Sequence, residues 1–377
     1  MLSITKAKLA DGRDIIYFDD AGSQHPDRVL EDSRDLPQVN PASEIRRDPL
    51  TGDWVAFAAH RMNRTFMPPA NENPLAPTRP GQLPTEIPSP SYDVVVFENR
   101  FPSFSMDIEV PADFQHDVDG MGLVAREPAL ARCEVVCFTQ DPELSFRDLP
   151  VERIRTVIEA WAHRTAELSA LDGVKQVFPF ENRGAEIGVT LQHPHGQIYS
   201  YPFFSPRLAA IVDSCQEAAA QGRDLFQEIL DKEVAAGTRV ITRTEHFTVF
   251  VPAAAKWPVE AMVMPNRQVA DFTELSDAAK ADLAVLLKDL YGAMDRFFEG
   301  VDKPPYIAGW TQAPAKAADR AGTAGSPVRM HLQLFSLMRS PGRMKYLAGS
   351  ESAQAVWISD TTPERIAARF REIWTCG

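Results

Sequence analysis

The sequence predicts an α+β chain made of two tandem half-domains, each a mostly antiparallel sheet with helices packed on it. Three observations predict this. The order strand, strand, helix, strand, strand occurs twice. FTVFVPAAAKWP parallels YDVVVFENRFPS, MVMPNRQVADFTELSDAAKADL parallels VVCFTQDPELSFRDLPVERI, and VRMHLQLFSLM parallels VTLQHPHGQIY. The likeness lies in spacing more than in identity, the mark of a degenerate duplication. Second, two segments carry apolar residues at helical spacing: Ile154, Val157, Ile158, Trp161, Thr165 and Leu168, then Leu283, Leu286, Leu287, Leu290 and Met294. Third, short apolar runs flank both.

Residues 1–43 are a mixed, charged lead-in; DGRDIIYFDD can form a hairpin, and no chemistry is assigned to it. Asp48-Pro49-Leu50-Thr51-Gly52-Asp53 has turn chemistry, followed by a strand at Trp54-Val55-Ala56-Phe57 and by Arg61 and Arg64. Residues 68–90 hold eight prolines and read as an extended surface loop. Strands are predicted at 92–98, 133–138, 175–180 and 189–203, with the first amphipathic helix over 151–168, stopped near Gly173. His163 lies within that helix and reads as structural. A long helix over 207–235, strands at 239–251 and 259–264, a helix over 276–299 and strands at 306–310 and 328–337 follow. The loop 313–327 is rich in small residues. The domain boundaries are an extension at 1–43, a first half at 44–205 and a second half at 206–377.

With 377 residues and 44 % hydrophobic content the chain can bury a substantial core. A formal charge of −13 argues against a general binder of polyanions, so no nucleic-acid partner is expected. A phosphorylated substrate would need a local cluster of Arg and Lys. Cys133, Cys137, Cys215 and Cys376 contain no Cys-x-x-Cys pair and read as free thiols. No apolar run approaches the ~18 residues of a membrane span, and the opening lacks a secretory pattern. The expected location is the cytoplasm.

The chemistry-bearing stretch is FENRGAEIGVTLQHPHGQIYSYPFF, residues 180–204. In an extended chain His193, His195 and Gln197 point one way, and Pro194, Gly196 and Ile198 the other. Pro194 lacks an amide donor and suggests a strand end, while Gly196 permits close approach of a backbone or ligand. This is a platform for an imidazole nucleophile beside a hydrogen-bonding amide. A pair of core or metal-ligating histidines is the competing reading of His-x-His alone.

The run ENRGAEIGVTLQHPHGQ resembles the active-site signature of the galactose-1-phosphate uridylyltransferases, within the histidine-triad superfamily. Three further stretches are similar to the family in the same order: Arg46-x-x-Pro49-Leu50-Thr51-Gly52-x-Trp54, Asn99-Arg100-Phe101, and Lys345-Tyr346-x-x-Gly349-x-Glu351. The resemblance implies two histidine-triad-like halves and uridylyl transfer from UDP-glucose to galactose 1-phosphate, within galactose metabolism. It implies His195 as the nucleophile that forms a uridylyl-histidine and Gln197 as the amide on the phosphoryl oxygens. It further implies Arg61 and Arg64 on phosphates and Asn99 on uridine. Asn182, Gly188, Val189 and Thr190 would touch nucleotide and sugar, Lys345 a phosphate, and Glu351 sugar hydroxyls. His193 falls behind the site as a support. Family members are dimers whose sites combine both subunits, so a homodimer with Lys345 and Glu351 acting across the interface is expected.

Two metal sites of the family are expected to be missing. Where many members carry Cys-Pro-Leu-Cys-Pro for zinc, this chain has Asn73-Pro74-Leu75-Ala76-Pro77; a third ligand position falls near Pro142, leaving His193 alone. The iron set of the second half is reduced to His331, with Thr311 and Gln333 at histidine positions and Ile211 near the glutamate position. No cofactor is expected. Two other functions remain compatible with the motif: a nucleotidyltransferase or phosphorylase for another nucleotide, such as a dinucleoside polyphosphate, and a non-catalytic nucleotide-binding protein.

Overall fold

The computed structural model describes residues 2–38, 41–63, 72–315 and 328–375. Among them, eleven strands join into one sheet. An N-terminal hairpin of β1 (Ser3–Lys8) and β2 (Asp14–Asp19) stands at one edge, followed by β5 (Val94–Glu98), β7 (Cys133–Cys137), β9 (His195–Tyr201) and β8 (Gln176–Arg183). The sheet continues through β13 (Tyr306–Thr311), β14 (His331–Ser336), β12 (Val259–Pro265), β11 (Phe247–Phe250) and β10 (Val240–Arg243). A small separate sheet contains β3 (Glu44–Arg47), β4 (Trp54–Phe57) and β6 (Arg126–Pro128).

The duplication is visible in this order. The quartet β5-β7-β9-β8 is mirrored by β11-β12-β14-β13, and the two meet where β8 and β13 pair antiparallel, with Ala308 opposite Glu181. Helices α1 (Val151–Ala170) and α4 (Asp277–Asp295) occupy equivalent connections and pack on each other across one sheet face. Every residue of the two predicted stripes is buried. Phe138, Phe146, Trp161, Phe272, Tyr291 and Trp310 fill the space between helices and sheet with edge and stacked ring contacts. A buried fork ties α1 to β7: Arg164 Nη2 and Nε donate to Glu134 at 2.7 and 2.9 Å.

Five elements differ from the sequence expectation. The predicted strand 189–203 begins only at His195, because residues 184–194 form a loop with a short turn at Ala185–Ile187. Gly184 has φ +112°, and a Cβ there would lie 2.6 Å from Pro305 Cβ, so the chain must leave the ladder here. The long helix 207–235 is two, α2 (Pro206–Ala220) and α3 (Leu225–Ala236), interrupted by a turn through Gly222. The run 239–251 folds back on itself as the β10–β11 hairpin. The proline-rich segment is no mere surface loop: Leu75 and Ile87 are buried with Tyr17, Tyr92 and Val95 in a second cluster on the other sheet face. Proline content signals extended backbone, not which side of the chain meets the core. Residues 3–19 do form a hairpin, but DIIYFD is its second strand and SITKAK its first.

Gly196 is the tightest point of β9. A Cβ at this position would meet Phe138 Cζ at 2.7 Å and the Phe180 carbonyl at 2.8 Å. Gly196→Ala is therefore expected to destabilise the protein by ~1–3 kcal/mol, the cost typical of an overpacked core position, and to displace the residues on either side of it. Chemical denaturation of the variant against wild type checks the figure.

Candidate active site

Strand alternation decides which groups reach the cavity. On β9, Gly196 and Ile198 face the helix layer, and His195, Gln197 and Tyr199 face the other side. Across the ladder Gln197 stands between Val135 of β7 and Phe180 of β8. These side chains floor a cleft of about 510 Å³. The loop Gly188-Val189-Thr190 overhangs it, and Asn182, Asn99 and Arg61 stand in its walls. The structure thus brings eight of the predicted residues together.

Arg61 comes from a single 3-10 turn, Ala59–Asn63, and is anchored by Nη1 donating to the Phe101 carbonyl at 2.7 Å. Asn99 Oδ1 accepts the Phe101 backbone N–H at 2.9 Å, which leaves its amide NH₂ for a ligand. Arg64 lies outside the described residues. Lys345 and Glu351 are not at this cleft. They are buried against each other, with Nζ donating to Oε1 at 3.0 Å and to the Ile358 carbonyl.

His195 Nδ1 lies 2.7 Å from the His193 backbone carbonyl. A carbonyl only accepts, so Nδ1 carries the proton and Nε2 keeps its lone pair. Burial pulls the His195 pKa below its ordinary value, keeping the ring neutral near pH 7. The arrangement is a neutral, oriented imidazole with a free nucleophilic nitrogen, and Gln197 lies two residues along on the same face.

His193 does not share that face. The ladder ends at His195, and the His193 ring turns into a buried pocket of polar groups. Asn73 Oδ1 accepts the Leu75 N–H at 3.0 Å, which fixes the amide so that Nδ2 donates to His193 Nδ1 at 2.9 Å. The ring proton is then on Nε2, which donates to the Thr139 carbonyl at 2.7 Å, with Tyr92 Oη 3.0 Å away. Burial lowers this imidazole to a pKa of about 4, so it too is neutral. Both nitrogens are engaged by protein, and the same residue's carbonyl orients His195.

This geometry bears on metals. Neither the Asn73 amide nor Ala76 offers zinc a thiolate, and Pro142 offers nothing, so the residues present do not fit a zinc ion held by His193. In the second half His331 Nδ1 lies 2.9 Å from the Arg329 carbonyl, and Gln333 Nε2 donates to Glu260 at 2.7 Å. One buried imidazole and a bound amide do not fit an iron set. Asp19, His25 and Asp93 also converge, but Asp19 already holds Arg28 and Asp93 holds Arg153.

Sequence reasoning missed the apolar floor of Phe97, Val135, Phe180 and Tyr199, although their alternation with core residues carried that signal. It also missed Glu86 and Arg100 in the cleft wall, and nothing in the proline-rich segment pointed to Glu86.

Sequence models of the N-terminal and C-terminal domains of galactose-1-phosphate uridyl transferase match residues 34–205 and 213–375. A galactose-1-phosphate uridylyltransferase of Streptomyces lividans is 42 % identical over 98 % of this chain and 97 % of its own. One from Thermotoga maritima is 32 % identical over 87 % of this chain and 98 % of its own. The fold is similar to a solved uridylyltransferase, with TM-score 0.72 and 29 % identity over 88 % of this chain and 98 % of the other. An ADP-glucose phosphorylase from Arabidopsis thaliana shares the fold at TM-score 0.63 and 22 % identity, covering 88 % of this chain and 99 % of its own.

Replacing Asn73 with Ala removes the donor to His193 Nδ1 and leaves a buried acceptor unpaired. Asn73→Ala is expected to cost ~1–3 kcal/mol of stability. It is also expected to lower the rate of chemistry at His195 while leaving ligand affinity near wild type. Denaturation and single-turnover kinetics separate the two effects.

Proposed function

Because the chain belongs to the galactose-1-phosphate uridylyltransferase family, we propose that it transfers the uridylyl group of UDP-glucose to galactose 1-phosphate by double displacement at His195. The observation that carries the mechanism is the His195 ring, protonated on Nδ1 by its bond to the His193 carbonyl and open on Nε2 to the cleft.

In the first half-reaction the Nε2 lone pair forms a bond to the α-phosphorus of UDP-glucose. The bond from that phosphorus to the bridging oxygen breaks, and the electron pair leaves on glucose 1-phosphate. No proton has to move. The uridylylated ring carries positive charge, which the Nδ1–H bond to the His193 carbonyl stabilises. In the second half-reaction a phosphate oxygen of galactose 1-phosphate attacks the same phosphorus, Nε2 leaves as neutral imidazole, and UDP-galactose forms. The two steps are near mirror images, which suits one site used twice. Gln197 donates its amide N–H to a non-bridging oxygen, stabilising charge without supplying a proton. An amide that cannot act as an acid favours transfer to a second sugar phosphate over hydrolysis. Arg61 and Asn182 are assigned to the phosphates and nucleotide, with the Gly188-Val189-Thr190 loop covering them and Asn99 on the uridine. Arg64 continues the same basic segment.

Lys345 and Glu351 are assigned to the hexose phosphate. Since they do not reach the cleft of their own chain, the reading requires a homodimer in which a second copy supplies them. Tyr346, Leu347, Val356 and Ile358 beside them are exposed apolar side chains, which supports an interface there. The proposed enzyme works in the cytoplasm and uses no metal, in keeping with the ligand sets described above. Among the described residues no helix is long and apolar enough to cross a membrane.

Incubation with UDP-glucose alone is expected to add one uridylyl group per chain, seen by intact-protein mass, and His195→Ala to add none. Gln197→Ala is expected to slow adduct formation ~10²–10³-fold, the usual cost of losing one such donor. An adduct that persists in His195→Ala would overturn the assignment of the nucleophile.

Only neutral imidazole attacks, and the His195 pKa is lowered, so the rate should be flat through pH 7 and fall only as pH drops below 6.5. A rate profile of adduct formation tests the sign. Dialysis against a chelator is expected to leave the rate unchanged, with no stoichiometric zinc or iron by elemental analysis; loss of activity restored by zinc would contradict the metal-free reading.

A further inference from the structure

One wall of the cleft is held from behind by the N-terminal extension, most of which precedes the matched domain that begins at residue 34. Glu86 stands in that wall, 8 % exposed, in a cleft whose reading as a nucleotide site the argument rests on. Its carboxylate is gripped from the N-terminal extension: Arg13 Nη2 donates to Oε2 at 2.6 Å, and Arg34 Nη1 donates to Oε1 at 2.9 Å. Each arginine is fixed in turn. Arg13 also donates to Asp11 and to the Glu98 carbonyl, both at 2.8 Å, and Arg34 to Asp32 at 2.7 Å. Arg100, itself in the cleft, approaches Oε1 at 3.5 Å. The arginines hold the Glu86 carboxyl below the usual carboxylate range, so it stays ionised.

A carboxylate in the wall of a cleft for an anionic ligand would repel that ligand unless neutralised. The flanking guanidinium groups remove the repulsion and leave an acceptor. Each carboxylate oxygen has two in-plane lone pairs, and Oε2 has taken up one donor. The position along the sheet selects the part of the ligand. His195 lies opposite Cys137, which pairs with Val95 of β5. The Glu98 carbonyl that anchors Arg13 is three residues further along β5, about 10 Å at ~3.3 Å per residue, and β5 lies two strands from β9, about 10 Å more across the sheet at ~4.8 Å per strand. That offset sets Glu86 beyond a phosphorus bonded to His195, on the side of the cleft where the nucleoside would lie.

We propose that Glu86 accepts a hydrogen bond from the nucleoside of the bound nucleotide, through a ribose hydroxyl or a base imide N–H, and that residues 11–34 are the brace that positions it. The extension thereby has a function in substrate recognition.

Calorimetric titration with UMP, 2′-deoxy-UMP, 3′-deoxy-UMP and N3-methyl-UMP tests this. Wild type is expected to bind UMP ~10-fold or more tightly than at least one analogue, the loss typical of one charge-assisted hydrogen bond. The analogue that suffers identifies ribose or base. Glu86→Ala is expected to weaken UMP by a similar factor and to abolish the preference. Glu86→Gln, isosteric and a weaker acceptor, is expected to shrink it and serves if the alanine variant does not fold. Arg34→Gln is expected to shrink the preference in the same direction. Equal weakening of all four ligands in the Glu86 variants would overturn the proposal and leave Glu86 a structural hub. A wild-type protein that bound none of the four would instead overturn the nucleotide-site reading.

Discussion

One hydrogen bond organises the site: the His193 carbonyl accepting from His195 Nδ1. It sets which nitrogen of the His195 ring is free and holds the ring against rotation, and in the proposed mechanism it would stabilise the charge of the uridylylated ring. A backbone carbonyl can do this only if its peptide is held still. The peptide is pinned on one side by the β9 ladder and on the other by the His193 ring, bonded to Asn73 and Thr139. Asn73 comes from the proline-rich segment and Thr139 from the end of β7, so three distant pieces of chain converge on one imidazole. A buried imidazole satisfied at both nitrogens supplies the rigidity that a metal could otherwise give.

The second half of the chain shows what that rigidity does not supply by itself. His331 and Gln333 on β14 keep the His-x-Gln spacing of His195 and Gln197, and His331 Nδ1 engages the Arg329 carbonyl at 2.9 Å. The local geometry is the same, but the surroundings differ. His331 is 2 % exposed, and the Gln333 amide is consumed by Glu260. Leu332 stands where the first half has Gly196. Duplication has kept the strand and its imidazole, while the candidate cleft is lined by the first copy.

Local signals were readable in the sequence, and convergence was not. The helical stripes around Trp161 and Leu287, the alternation through His195-Gly196-Gln197 and the repeated element order are periodicities of the chain itself, and each stands in the structure. Asn73 and Ala76 are read directly from the sequence, but that Asn73 would bond to His193 required two segments 120 residues apart to meet. Glu86 was hidden for the same reason: its partners Arg13 and Arg34 are distant in sequence, and a proline-rich composition says only that the chain is extended. The break at Gly184 and the turn at Gly222 depend on positive φ and on neighbours such as Pro305, which a single sequence does not reveal.

The central claim is the protonation state that the His193 peptide imposes on His195, and long-range ¹H–¹⁵N correlation on histidine-labelled protein at pH 7 reads it directly. The account predicts opposite neutral tautomers for the two residues: His195 protonated on Nδ1 with a bare Nε2, and His193 protonated on Nε2 with a bare Nδ1. A His195 ring protonated on Nε2, or a His193 ring charged at this pH, would contradict it.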